Sequence, residues 1–280
     1  MRTAAVVLAY LAAMGLGLFQ SFRPTFESHF ARTQGDRCDS LLNHYVLEHT
    51  WQSVANPDYR ASLFSPPCFF PERHTLWYSE HLLGAAPVYW ALRVALPADL
   101  AYQWWEILFA AANFAAAAIV LRWLGQPHVL AILGGYLWAF ALVHIDQIRH
   151  QQMIPRLWMP LAAYHAWMLA LAPSTRHLNR MLACVFLQAV TCVNTGWFLA
   201  TGLATFLLLA VYLRPGARNQ PVFTHVTAWR NTHASTRLRC RVAGASVSIH
   251  AWYAASGIMN RAIICWCLIW STWTSANAPR

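Results

Sequence analysis

The chain alternates long apolar runs with short polar joints, and run length sets the reading. Residues 4–19 are apolar behind Met1-Arg2-Thr3, and a first helix is expected over about 4–22. Three further runs cover 102–121, 129–143 and 157–171. Each ends in polar or turn-forming residues: Arg122 and Gly125-Gln126-Pro127, then His144 to His150, then Pro173-Ser174-Thr175-Arg176. Residues 181–213 are 33 mostly apolar positions, whereas one crossing of a bilayer needs about 20. Two helices hinged near Asn194-Thr195-Gly196 are expected there. The pattern predicts an all-α, polytopic membrane protein with about six transmembrane helices inside residues 1–213.

Between the first run and the rest lies a polar stretch, about 23–80. It holds seven of the ten acids and Pro24, Pro57, Pro66, Pro67 and Pro71. It is too rich in aromatic and aliphatic residues to be a disordered linker, and it is expected to form a large exterior loop. Within it, residues 39–52 predict a helix: Leu41, Leu42, Tyr45 and Val46 gather at helical spacing, with charge only at Asp39 and Glu48. Such a helix suits the membrane surface. Residues 81–100 are apolar but broken by Pro87, Arg93 and Pro97, which fits an interfacial or re-entrant helix better than a span.

Composition supports the membrane reading. The chain is 58% hydrophobic and 11% charged, against roughly 25% charged in soluble domains. Its formal net charge is +10. The arginines sit at the ends of apolar runs and form no single basic face, so they are expected to orient helices. No nucleic-acid partner is expected; the expected partner is membrane lipid. With Arg2 inside, Arg122, Arg176, Arg180, Arg214 and Arg218 also fall inside, and loop 23–80 falls on the non-cytoplasmic side of a cell inner membrane. Arg149 and Arg156 fall outside, against the bias. No small-x-small cleavage site follows the first run, so an uncleaved signal anchor is expected in preference to a signal peptide.

The seven cysteines show no metal-binding pattern. Cys38 and Cys68 share the exterior loop, where a disulfide or two separate thiols are both open. Residues 214–280 read differently. They are rich in Arg, Ser, Thr, Trp and His, hold no acid, and lose both the long runs and the helical period. Two expectations stand for them: a frameshifted or truncated end, or a basic cytoplasmic tail.

Three clusters could carry chemistry. In Gly35-Asp36-Arg37-Cys38-Asp39, two carboxylates three residues apart can bind a divalent cation or supply a general base; alternatively Asp39 only caps the helix starting near Ser40. In the stretch from His144 to Gln152, Asp146 and His150 are an i,i+4 pair, and Arg149 offers charge for a phosphate; the alternative is an interfacial polar cap. Ser65 to Glu80 combines prolines and aromatics, as an interfacial belt or a platform for a sugar. No phosphate-binding glycine loop, Gly-x-Ser-x-Gly elbow or His-Glu-x-x-His pattern occurs.

The order of these features resembles a known layout. A first span leads to a loop with Gly35-Asp36, then Leu47-Glu48-His49, then Pro66 to Pro71. Thr75-Leu76-Trp77-Tyr78-Ser79-Glu80 and Leu82-Leu83-Gly84 come next, and a later span ends in a His/Asp/Gln-rich loop. Residues 1–213 are similar in this respect to bacterial polytopic proteins of the GT-C superfamily, the polyprenyl-phosphate-sugar-dependent glycosyltransferases. The resemblance implies transfer of a sugar from a polyprenyl-phosphate donor at the outer leaflet. It implies a catalytic or metal-linked acid at Asp36, with Asp39 as the other candidate. It also implies substrate contacts from Asp146, Arg149 and His150. The metal is unspecified; a divalent cation is one option. Such enzymes usually have more spans and a C-terminal portion that helps build the donor site, so a truncated, inactive form belongs to the same expectation. The alternatives are a polytopic transporter, which predicts polar groups inside the spans and an internal repeat, and a non-catalytic membrane protein.

Overall fold

The computed structural model describes residues 2–33, 39–69, 71–77, 79–141 and 150–213. Among these residues every regular element is helical. The chain divides into two units, Met1–Leu207 and Leu208–Arg280. The second is described only through the end of the last helix.

Among the described residues nine α-helices occur in order: α1 (Arg2–Ser21), α2 (Arg23–Glu27), α3 (Asp39–Ala55), α4 (Ala86–Arg93), α5 (Ala98–Trp123), α6 (His128–Phe140), α7 (Trp158–Leu171), α8 (Thr175–Thr191) and α9 (Val193–Tyr212). Short 3₁₀ turns lie at Pro57–Ser62, Pro67–Phe69, Thr75–Trp77 and Gln151–Met153. Three of these helices are long and apolar enough to cross a membrane: α1, α5 and α9. α6 is apolar but shorter.

The helices begin and end where local chemistry dictates. Pro97 and Pro127 stand immediately before α5 and α6 with φ of −63°, the value their rings impose. Asp99 in the first turn of α5 and Arg122 in its last both suit the helix dipole. Ser174 caps α8 by accepting from the His177 N–H at 3.2 Å. The 33-residue run is divided as expected, but the break falls at Cys192, two residues before Asn194. The two helices then pack so closely that a Cβ on Gly196 would lie 2.3 Å from the Ala189 Cα.

α5 is the axis of the first unit. In its apolar window 61% of residues are buried, against 6% in α1 and 17% in α9. One side joins a core with Val46 and Leu47 of α3, Leu76, Leu82, Tyr89 of α4 and Ile154. Another meets Phe22, Ala139 and Phe140 from the α1 and α6 side. A third core joins Met159 and Ala162 of α7 to Cys184 of α8 and Leu199 of α9.

Among the described residues after α1, α3 buries an unexpected face. Leu41 is 63% exposed, whereas Asn43, Val46, Leu47, His49, Thr50 and Ser53 are buried. Polar side chains can be buried there because each finds a partner. His49 Nε2 meets the Leu63 carbonyl at 2.9 Å, and Thr50 and Ser53 donate back to carbonyls of their own helix. Residues 81–100 contain the short helix α4, with α5 beginning at Ala98.

Two carboxylates fasten this layer. Glu48 accepts from Arg93 Nε (2.8 Å), Arg93 Nη2 (3.1 Å), Tyr89 Oη (2.7 Å) and Gln52 Nε2 (2.9 Å), locking α3 to α4. Glu80 reaches the break between α8 and α9. It accepts from the Val193 and Asn194 N–H groups at 3.0 and 3.3 Å and from Asn194 Nδ2 at 2.8 Å. That is a helix N-cap supplied by a distant segment, favoured by the dipole as well. Beside it the Gly84 N–H donates to the Val190 carbonyl at 2.8 Å.

A Cβ on Gly84 would sit 2.4 Å from Thr191 Oγ1 and 2.8 Å from the Thr191 nitrogen. The backbone atom cannot rotate away. Gly84→Ala is therefore expected to destabilise the protein by about 1–3 kcal/mol, read as a lower unfolding temperature in detergent; an unchanged midpoint would show that this approach is not tight.

Candidate functional site

The helices bring two of the polar sequence clusters together. Asp39 is the first residue of α3, and His150 lies just before the 3₁₀ turn Gln151–Met153. His150 Nδ1 and Asp39 Oδ2 are 2.5 Å apart. Both side chains stay partly accessible, His150 at 48% and Asp39 at 35%. The contact joins segments 111 residues apart in sequence.

Neighbouring side chains fix this pair. Gln152 Nε2 donates to Asp39 Oδ2 at 3.3 Å, and Asn43 Nδ2 donates to Gln152 Oε1 at 2.6 Å. That second bond orients the Gln152 amide with its NH₂ toward the carboxylate. Gln151 Nε2 donates to Ser40 Oγ at 2.6 Å. An ionised carboxylate only accepts, so His150 Nδ1 carries the proton and Nε2 is the basic nitrogen. A carboxylate that orients an imidazole in this way prepares it to take a proton from a hydroxyl.

Beneath the pair, residues 151–156 run inward along α5. Asn113 is fully buried; its Nδ2 donates to the Ile154 carbonyl at 2.7 Å, and its Oδ1 accepts the Arg156 N–H at 3.1 Å. Gln188 of α8 donates to the Pro155 carbonyl at 2.9 Å and to Thr195 Oγ1 at 2.8 Å. Arg156 Nη2 donates to the Trp138 carbonyl at 2.8 Å, with its guanidinium 5.4 Å from the Trp138 ring centre. Asn113→Ala would leave two buried backbone groups without partners. It is expected to cost roughly 2 kcal/mol and to raise hydrogen exchange in residues 151–156 selectively; uniform exchange would show that Asn113 does not hold this segment.

Of the site residues expected from sequence, Asp39 and His150 meet. Asp36, Asp146 and Arg149 lie outside the described residues. Among the described residues no three His, Cys, Asp or Glu side chains cluster as a metal site. Asp39 and His150 supply two donors, and a cation there would need a further carboxylate. Cys68 is a free thiol; Cys38 is not among the described residues. In the aromatic stretch, Trp77 is 66% exposed and stacks on Phe64 at 4.4 Å.

Sequence reasoning missed Asn43, Ser40, Asn113, Gln188 and Glu80 as parts of the site and its supports. Asn113 and Gln188 had a local signal, each being an amide flanked by apolar residues. Ser40 and Asn43 come shortly after Asp39 and carry no signal beyond membership of a helix.

No protein-family model, no curated protein and no solved structure matches this chain.

Proposed function

We propose that residues 1–213 form a polytopic membrane transferase of the GT-C type, using a polyprenyl-phosphate sugar as donor. On this reading α1, α5, α6, α7, α8 and α9 are six spans. The layer built on α3 and α4 is the large first loop on the non-cytoplasmic face of an inner membrane, and α1 is a signal anchor. The single observation that carries the reading is the contact between Asp39 and His150, because it joins the two polar clusters of the GT-C-like layout at one accessible place. In the step proposed, His150 Nε2 takes the proton of an acceptor hydroxyl. The acceptor oxygen bonds to the anomeric carbon of the sugar as the bond to the phosphate oxygen breaks, and polyprenyl phosphate leaves with that electron pair. Asp39 stabilises the imidazolium. Asp36 is the other candidate acid, and Arg149 and Asp146 are proposed for the phosphate and sugar.

The test uses the full chain in lipid nanodiscs with a radiolabelled polyprenyl-phosphate sugar. Release of polyprenyl phosphate, or saturable donor binding that His150→Ala weakens, is the expected result. Neither release nor binding by a folded protein would overturn the proposal.

A second reading, a transporter, has one observation in its favour. Gln103, Glu106 and Asn113 are buried polar groups within the apolar helix α5, and Gln188 is buried on the amphipathic helix α8; substrate and ion paths require such groups.

A further inference from the structure

α5 carries a carboxyl that the candidate site does not use. Glu106 is 1% exposed, and neither of its carboxyl oxygens has a hydrogen-bond partner among the described residues. Its helix is one of the three that are long and apolar enough to cross a membrane. The 26 residues of α5 extend roughly 39 Å at 1.5 Å each, more than the roughly 30 Å hydrocarbon layer. Glu106 comes eight positions after Ala98, roughly 12 Å along the axis. If the helix is centred on the bilayer, the carboxyl lies inside the apolar layer and below its rim.

Glu106 belongs to a polar stripe. Gln103, Glu106 and Asn113 are spaced by three and seven residues, which places them on neighbouring positions of one side of the helix. All three are buried. Gln103 Nε2 donates to the Phe30 carbonyl and to Thr33 Oγ1, both at 3.2 Å. Asn113 holds the Ile154 carbonyl and the Arg156 N–H. The amides on either side of Glu106 are thus tied to the chain just before residue 34 and to the segment just after residue 150. Glu106, between them, is tied to neither. Gln103 Oε1 also lacks a donor among the described residues.

Among the described residues no cation answers the charge. On α1, Tyr10 bonds His128 of α6 at 3.2 Å; Tyr136 of α6 donates to Gln20. On α3, His44 stacks on Tyr102 at 4.7 Å, and burial holds its pKa below the usual range despite Asp99 nearby. Tyr89 and Arg93 of α4 bind Glu48. On α7, His165 bonds His177 at 3.0 Å. Arg156 reaches the Trp138 carbonyl. An ionised carboxylate without water, hydrogen bonds or a counter-ion costs several kcal/mol, so the side chain sits there as the acid. Packing does not call for it, since Ala110 and Ala117 fill positions on the same side with methyl groups.

We propose that Glu106 is a proton-exchange site within the membrane layer, opened from the side of residues 30–33 and 150–156. At rest its carboxyl O–H is intact. When Gln103 and Asn113 release their partners, water enters, the O–H bond breaks, and the proton passes to that water; closure requires its return. The inference is independent of the transferase reading, because it concerns a different residue and a different chemical event.

The experiment treats the full chain in nanodiscs with dicyclohexylcarbodiimide, which partitions into apolar layers and reacts with protonated carboxyls. Adducts are located by peptide mass spectrometry from mildly acidic to mildly alkaline pH. An adduct on Glu106 is expected, absent from Glu106→Gln, with a rate falling about tenfold per pH unit beyond the midpoint. A water-soluble carbodiimide should label the exposed Glu27 and Glu72 and spare Glu106. Protection factors, with the base-catalysed intrinsic rate divided out, should fall with pH in residues 28–33 and 151–156 of the wild type and stay constant in Glu106→Gln. A folded wild-type protein with no Glu106 adduct at any pH, or with labelling and protection factors that ignore pH, would overturn the proposal. The wild-type labelling decides alone if the variant does not fold.

Discussion

On the proposed transferase reading, Asp39→Ala is expected to reduce sugar transfer by about 10²–10⁴-fold, the usual contribution of a positioned acid–base group, while folding persists. The separation of the two effects follows from exposure. Asp39 and His150 are 35% and 48% accessible, and ion pairs so placed contribute about 0–1 kcal/mol to stability. A loss of activity of several orders cannot then be ascribed to unfolding. Asp39→Asn retains shape and tests the charge: with an amide beside it, His150 loses the fixed tautomer that leaves Nε2 basic, and a loss close to that of Asp39→Ala is expected. His150→Ala should match it, and the double variant should be no slower than either single one, because groups acting as one unit are not additive. A folded Asp39→Ala protein with wild-type turnover would remove this pair from the mechanism. Additive losses in the double variant would show that the two residues act separately.

What could be read from sequence and what could not divide by range. α5, α6 and α7 lie on the apolar runs 102–121, 129–143 and 157–171, which are local properties, although α5 starts earlier, at Ala98, and α6 ends at Phe140. The break in the 33-residue run was legible from length alone, and only its position moved, to Cys192. Asp39 was legible as an acid at a helix start, which left capping and catalysis both consistent with spacing. His150 settles nothing locally, since its partner is 111 residues away. Glu80 contacts Asn194 across 114 residues, and nothing in its own aromatic stretch points there. α3 shows the same limit from the other side. Its leucines suggested an apolar face, but Asn43, His49, Thr50 and Ser53 are buried instead, because each meets a partner supplied by the fold or by its own backbone. Glu106 stands near the start of the run 102–121, and its lack of a partner among the described residues emerges only once the neighbours on α1, α3, α4 and α6 are in place.

Glu48→Ala is expected to cost about 1.5–3 kcal/mol, the range for hydrogen bonds to a charged group, here in a half-buried pair. The side chains of Arg93 and Glu48 are 20% and 25% exposed, so solvent screens them in part. Burial by itself would raise the Glu48 pKa, but hydrogen bonds from Arg93, Tyr89 and Gln52 outweigh it and bring it to about 2. A folded-state pKa below the unfolded value stabilises the fold above the unfolded pKa, near 4.5, and the contribution is lost as pH falls through about 2. Discounted for that screening, the linkage amounts to about 1–2 kcal/mol at neutral pH. Stability should therefore decline from about pH 5 downward in the wild type, and that part of the decline should vanish in Glu48→Gln. A double-mutant cycle with Arg93→Ala separates the pair from the rest. Coupling of at least about 1.5 kcal/mol is expected, and coupling near zero would mean that Tyr89 and the apolar contacts of Leu47 hold α3 on α4 without the ion pair. Because α3 presents Asp39, loosening that attachment should also weaken the contact with His150, so Glu48→Ala should lower activity through position, leaving the pH dependence of the remaining turnover unchanged.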